Sequence, residues 1–251
     1  MKLGVLLCDD VRPELQPKHG NYPAMFSNLF AAVDPSIALQ FYRVIDGQYP
    51  QSLSECDGYL TSGSRYSVFE QSRWISVFQG FVHQLYFQHT PLVGICFGHQ
   101  MIAQALAGEV VTSENGWGIG AQKISLNSEQ CQHSPWLTTP PKTLSLLVSH
   151  QDQVIRPPQG SRILAGSDYC PNSIMQVGNH FLGIQGHPEF TPEYLLDLMA
   201  LRQSCYPAET YQIAVNSLDQ PTDHLLLTRW IIQFFRYRQL LNNQHTFNKT
   251  E

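Results

Sequence analysis

Leu3 to Leu7 is a compact apolar run cut off by Asp9, Asp10 and Pro13, the form of a buried strand. Tyr22, Met25, Phe26, Leu29 and Phe30 then recur at intervals of three and four, predicting an amphipathic helix that Pro35 stops. Leu39 to Ile45 reads as a second strand, closed by the turn-prone Asp46-Gly47 and Pro50, and Gly58 to Thr61 as a third, running into the small-residue loop Ser62-Gly63-Ser64-Arg65. Trp74, Val77, Phe78, Phe81, Val82, Leu85 and Tyr86 give a long helix with one broad apolar face. Leu92, Val93 and Ile95 form a fourth strand, and Met101, Ile102, Ala105 and Leu106 mark the helix after it. Alternation of this kind as far as Gly108 predicts an α/β fold: a mostly parallel open sheet covered by helices on both faces, with ligands bound beyond the carboxyl ends of the strands.

From Glu109 the texture changes. Short β-rich pieces fall at Glu109 to Thr112, Gly120 to Leu126, Leu144 to Val148, Arg162 to Ala165, Ile174 to Val177 and Phe181 to Gln185, the last two reading as a hairpin around Gly178-Asn179. This section extends the sheet and adds a small antiparallel layer. After Gly186-His187-Pro188-Glu189-Phe190 a helix begins with Thr191 as cap and Pro192 in its first turn, and further helices fit Ala208 to Leu218 and Thr222 to Leu241. No repeat, low-complexity linker or second-domain boundary is evident, so residues 1–241 read as a single domain and 242–251 as a polar, frayed tail.

With 251 residues, 43% of them apolar, the chain can bury a substantial core. A formal charge of -5, only 15 Lys plus Arg and no basic run exclude nucleic acid as the main partner. The apolar N-terminus meets Asp9 and Asp10 too early for a signal peptide, and no stretch approaches membrane-spanning length; a cytoplasmic protein follows by default. The six cysteines are scattered without a CxxC, against both a disulfide scaffold and a redox centre. The Ser62 loop lacks the frame of a phosphate-binding loop, and no cofactor is implied.

The chemistry concentrates at Cys96, between the fourth strand and its helix. Gly94 and Gly98 on either side let a sharp turn close without Cβ clashes, and the helix amides that follow favour a thiolate, as in a cysteine form of the nucleophile elbow. A buried structural thiol is the competing reading. His187 follows a predicted strand at the same rim; beside a thiol it raises the thiolate fraction and can protonate a leaving amine, with Glu189 two residues on to orient it. Against this stand a structural histidine with a surface glutamate, and a metal site using His187, Glu189 and His180 that lacks an obvious further ligand. Taken together, the three residues point to Cys-His-Glu acyl transfer, with no metal.

The strings Gly-Ile-Cys-Phe-Gly-His-Gln, ending at Gln100, and Gln-Gly-His-Pro-Glu-Phe, ending at Phe190, strongly resemble the class I (triad) glutamine amidotransferase family, over a similarity running from about Leu3 to Met199. The resemblance implies a three-layer, flavodoxin-like fold with Cys96 as nucleophile, His187 as base and Glu189 as third member. It further implies an oxyanion hole made by the backbone amides of Gly63 and Phe97, and a substrate held by Gln100 and by Ser149-His150-Gln151-Asp152, which looks like the family's Ser-His-Gly-Asp segment. Gln151 departs from that segment's glycine, so its side chain is expected to reshape the pocket. Ser62-Gly63-Ser64-Arg65-Tyr66-Ser67-Val68 and Gly116-Trp117-Gly118-Ile119-Gly120 resemble the stand-alone, GMP-synthase-like branch that includes plant γ-glutamyl peptidases. In that light Arg65 and Trp117 become candidate substrate contacts, with a solvated arginine and a packing tryptophan as the ordinary alternatives. The expected function is hydrolysis of the glutamine side-chain amide through a cysteine thioester, releasing ammonia and glutamate. Family members pass that ammonia to a synthase; either an unidentified synthase partner accepts it here, or the enzyme is a stand-alone hydrolase of γ-glutamyl peptides or amides. A non-catalytic regulatory or binding module on the same fold is a third reading.

Overall fold

The computed structural model of the chain describes residues 1–247. Its centre is a parallel group of strands laid down by the alternating first half: β1 (Lys2–Leu6), β2 (Ala38–Tyr42), β3 (Gly58–Thr61) and β4 (Leu92–Ile95). β5 (Glu109–Thr112), β6 (Gly118–Leu126), β7 (Thr143–His150), β8 (Asp152–Arg156), β9 (Arg162–Gly166), β10 (Ile174–Val177) and β11 (Phe181–Ile184) follow. Among the described residues a nine-stranded sheet runs in the order β2-β1-β3-β4-β11-β10-β9-β6-β7, and β5 pairs with β8 in a small separate sheet. From β2 to β11 the pairings are parallel and from β11 to β7 antiparallel, so the sheet is the mostly parallel one the alternation predicts, of the flavodoxin-like kind the resemblance implies, with an antiparallel extension.

The helices are α1 (Gln16–His19), α2 (Tyr22–Val33), α3 (Arg73–Phe87), α4 (Phe97–Ala105), α5 (Ser128–Gln132), α6 (Pro192–Leu201), α7 (Ala208–Ser217) and α8 (His224–Phe247). One face of the sheet is covered by α2, α6 and α8, which bury Phe26, Phe30, Leu195, Trp230 and Phe234; the other by α3 and α4, which bury Phe78, Val82, Leu85, Phe97 and Met101. Each such fully buried large apolar side chain favours folding by about 1.5–3 kcal/mol. α6 starts as predicted, with Thr191 Oγ1 accepting the Tyr194 amide at 3.1 Å and Pro192 in the first turn. No described helix is long and apolar enough to cross a membrane.

The pairing register decides where the chemistry sits. β4 lies between β3 and β11, with Gly94 opposite Gly183 and Ile95 opposite Ile184 in parallel. Cys96 and the Gln185–His187 segment therefore emerge at the same end of the sheet. β1 and β3 end there too, bringing Asp9 and the Ser62–Arg65 loop to that rim.

Several expectations need correction. The second strand stops at Tyr42 instead of Ile45, because Val44 turns into the core in a 3-10 turn over Val44–Asp46 that Gly47 closes at φ 79. On α3, Val77 is exposed and Ile75 takes its place, in phase with Phe78, Val82 and Leu85. β8 was not anticipated, and β7 reaches His150, so Ser149 and His150 are strand residues. The helix predicted to end at Leu241 continues as helical backbone to Phe247, where a frayed tail was expected; residues 248–251 of that tail lie outside the described residues.

Candidate active site

The turn at Cys96 is strained. Its φ of 50° and ψ of -100° put a side-chain-bearing residue in a region that such residues rarely adopt. The surroundings enforce it: the Cys96 amide donates to Ile184 O at 2.7 Å, and the Ile95 amide donates to the buried Thr61 Oγ1 at 3.0 Å. A Cβ on Gly94 would stand 2.4 Å from the backbone carbonyl of Gly98, and one on Gly98 1.8 Å from Thr61 Oγ1, so both glycines are sterically required. Phe97 stacks against Trp74 and Phe78, which pins the first turn of α4.

Beside the elbow, the loop after β3 is fastened to the end of β1. Ser62 Oγ accepts the Cys8 amide at 2.8 Å, Ser64 Oγ donates to Cys8 O at 3.1 Å, and Asp9 Oδ2 accepts both the amide and Nε of Arg65 at 2.8 Å. These ties hold Gly63 between two functional groups: a Cβ there would lie 2.7 Å from His187 Cε1 and 3.6 Å from Cys96 Cβ. Gly63, Cys96 and His187 thus form one tight constellation.

His187 Nδ1 donates to Glu189 Oε1 at 2.8 Å, and both side chains are buried. The imidazole is fixed by its own amide, which donates to Leu147 O at 2.8 Å, and by Phe190, stacked on it at 3.9 Å and 4°. Burial alone would lower the pKa of His187, but the negative charge of Glu189, and then that of the Cys96 sulfur, outweigh it and raise it to about 10. The arrangement can therefore hold an imidazolium beside the Cys96 sulfur at neutral pH.

The cleft has two lobes that meet at Cys96. One, of about 230 Å³, is bordered by Gln100, Trp117, His150, Gln151 and Asp152. The other, of about 50 Å³, is bordered by His187, Tyr22 and Arg12 together with Asp9, Asp10 and Tyr194. Ser64, Arg65, Ser149 and Arg202 line both.

The class-I glutamine amidotransferase family model matches residues 53–196. Gamma-glutamyl peptidase 2 of Arabidopsis thaliana is 31% identical over 183 residues, 72% of this chain and 73% of the relative. The chain belongs to the class-I glutamine amidotransferase family. A subunit of the glutamine-hydrolysing GMP synthase of Sulfolobus acidocaldarius is 30% identical over 61% of this chain and 78% of the relative. A glutamine amidotransferase structure from Methylobacillus flagellatus superposes with a TM-score of 0.73 at 20% identity, covering 95% of this chain and 94% of that one, and so shares the fold.

In this chain the other positions predicted from the sequence divide. Gln100 is buried, its amide nitrogen donating to Asp152 O at 2.8 Å and Gln185 Oε1 at 3.1 Å, which leaves its carbonyl oxygen for a ligand. His150 Nδ1 donates to Asp152 O at 3.1 Å, and burial lowers its pKa to about 4, so the ring is neutral. The buried His150 Nε2 then carries a lone pair, and neither it nor Ser149 Oγ has a partner among the described residues. Trp117 borders the larger lobe while packing edge-on to Tyr206, with the Arg202 guanidinium 5.4 Å above it, so packing and lining coincide. Arg65 lines the cleft yet is committed to Asp9. His180 sits at the opposite end of β11, against Tyr86 O and Asn179, well removed from His187 in the fold; the metal alternative loses that ligand. Sequence reasoning missed Thr61, Asp9, Arg12 and Arg202. Only Asp9 carried a signal, as an acidic residue at the C-terminal end of a predicted strand.

Proposed function

We propose that the chain hydrolyses γ-glutamyl amides through a thioester on Cys96. The observation that carries this reading is the constellation of a strained elbow cysteine, the Gly63 loop and a buried His187–Glu189 pair. Cys96 Sγ attacks the γ-carboxamide carbon, and the negative oxygen that develops is taken by the amides of Gly63 and Phe97, neither of which has an acceptor among the described residues. Removing one such donor typically costs about 3–4 kcal/mol in the transition state. His187 gives its proton to the departing nitrogen, the C–N bond breaks, and a γ-glutamyl thioester remains. Water deprotonated by His187 then attacks the thioester, and glutamate is released as the Cys96 sulfur leaves, with His187 keeping the proton for the next cycle. Glu189 keeps Nδ1 protonated and the ring in place throughout.

The γ-glutamyl group fits the larger lobe. Gln100 Oε1 and the lone pair of His150 Nε2 suit its α-ammonium, Ser149 Oγ its polar rim, and Gln151 narrows the space where the family resemblance leads one to expect glycine. Glutamine is the simplest such substrate, and its ammonia would pass to a synthase partner, a reading supported by the kinship with a GMP synthase of the glutamine-hydrolysing kind. Hydrolysis of γ-glutamyl peptides is supported by the kinship with plant γ-glutamyl peptidases. The presence of Cys96, His187 and Glu189 together counts against a non-catalytic module. Release of glutamate and amine by wild type and the Cys96→Ala variant tests the reading: the variant is expected to fold and release neither, and undiminished turnover would overturn it.

A further inference from the structure

The two lobes differ in charge balance, and the smaller has more room than ammonia requires. Its carboxylates are already matched: Asp10 accepts both terminal nitrogens of Arg43 at 2.8 Å, and Asp9 accepts Arg65 Nε and the Asp10 amide at 2.8 Å. Its other cations are not. Among the described residues no carboxylate pairs with Arg12 or with Arg202. Arg202 borders both lobes, whereas Arg12 belongs to the smaller one alone. The Arg12 backbone is held firmly, its carbonyl accepting the amides of Leu15 at 2.9 Å and Gln16 at 3.2 Å, with Pro13 next in the chain. A rigid turn thus sets an unmatched guanidinium at the side of the cleft that His187 lines.

His187 must hand its proton to the leaving nitrogen, so the leaving group occupies the lobe that His187 borders. At about 10–15 Å³ for one water-sized occupant, the 50 Å³ there admits several heavy atoms, about what a glycine needs, where ammonia is one.

We propose that the smaller lobe takes a leaving amine that itself bears a carboxylate, namely a small amino acid in γ-glutamyl linkage, and that Arg12 receives this carboxylate. The proposal rests on Cys96 being the nucleophile, as argued above. For γ-glutamylglycine the sulfur–carbon bond forms as the carbon–nitrogen bond breaks, glycine leaves with the proton from His187, and water releases glutamate from the thioester. A guanidinium–carboxylate contact presented by a fixed turn favours the acid over its neutral amide by roughly tenfold or more.

The test compares kcat/KM on γ-glutamylglycine, γ-glutamylglycinamide and glutamine, for wild type, Arg12→Gln and Arg12→Lys, beside labelling of Cys96 by a diazoketone analogue of glutamine. Wild type is expected to prefer the acid over the amide by roughly tenfold or more, Arg12→Gln to bring that ratio close to one, and Arg12→Lys to keep part of it. A wild-type ratio near one, or a ratio unchanged in Arg12→Gln, overturns the assignment. The wild-type comparison decides the matter even if a variant fails to fold. If Cys96 is labelled and acid and amide are cleaved alike, the leaving-group proposal alone fails; if Cys96 is neither labelled nor needed for turnover, the catalytic reading fails and this proposal with it.

Discussion

Replacing Glu189 by glutamine removes a charge while keeping the shape. The carboxylate accepts His187 Nδ1 at 2.8 Å and its Oε2 has no partner among the described residues. A glutamine can therefore leave its oxygen on Nδ1 and turn its NH2 toward the vacated Oε2 position. What is lost is the electrostatic hold on the imidazolium. Against the burial that would lower it, the charge of Glu189 and then that of the Cys96 sulfur raise the pKa of the ring from an ordinary 6.5 to about 10. A hydrogen bond to a charged partner is typically worth about 1.5–3 kcal/mol; for this buried pair roughly 2–3 kcal/mol is expected, inside the ceiling of about 6 kcal/mol that Coulomb's law sets for 2.8 Å at an effective dielectric of about 20. Glu189→Gln is expected to lower kcat/KM roughly 30- to 150-fold near neutral pH.

The pH dependence follows with a definite sign. A raised value means that wild-type His187 keeps its proton above pH 6.5 and loses it as pH rises through about 10, so activity that needs the imidazolium falls only there. In Glu189→Gln the same fall should come at lower pH. Steady-state kcat/KM on a γ-glutamyl substrate across neutral to strongly basic pH checks both points. A variant within about threefold of wild type, with an unmoved basic limb, would refute the electrostatic role.

Gly94→Ala drives a Cβ to 2.4 Å from the Gly98 backbone, which no rotamer change can relieve; a loss near the top of the usual range of about 1–3 kcal/mol for overpacking is expected, read as a drop in Tm of about 5–10 °C together with loss of turnover. Wild-type melting by the variant would mean that the elbow is less tightly enclosed than the contacts imply. For Gln151→Gly, opening the lobe assigned to the γ-glutamyl group that both substrates share should change kcat/KM on glutamine and on a γ-glutamyl dipeptide in the same direction, and unchanged kcat/KM on both would show that this side chain does not shape the pocket.

Much of the site was legible because its constraints are local. Gly94 and Gly98 announce a turn whose sterics the contacts with Gly98, Thr61 and His99 now explain. His187 and Glu189 stand two apart after an apolar strand, and the parallel pairing of β11 with β4 brings them to Cys96. What stayed hidden depends on long-range partners. Asp9 matters through Arg65 and Thr61 through the Ile95 amide, contacts that no periodicity records. β8 is brief, polar at both ends and, among the described residues, paired with β5 alone, so its hydrophobic signal is weak. Arg12 and Arg202 acquire meaning only once the elements after β1 and α6 converge on one cleft.

The central claim is that the sulfur of Cys96 carries the acyl group, and rapid acid quenching during turnover of a γ-glutamyl substrate, followed by peptide mass mapping, tests it most directly. The account predicts one γ-glutamyl group on the peptide containing Cys96, lost on further incubation as glutamate appears. Turnover with the acyl group on a different residue, or with Cys96 unmodified at every quench time and dispensable for product release, would contradict it.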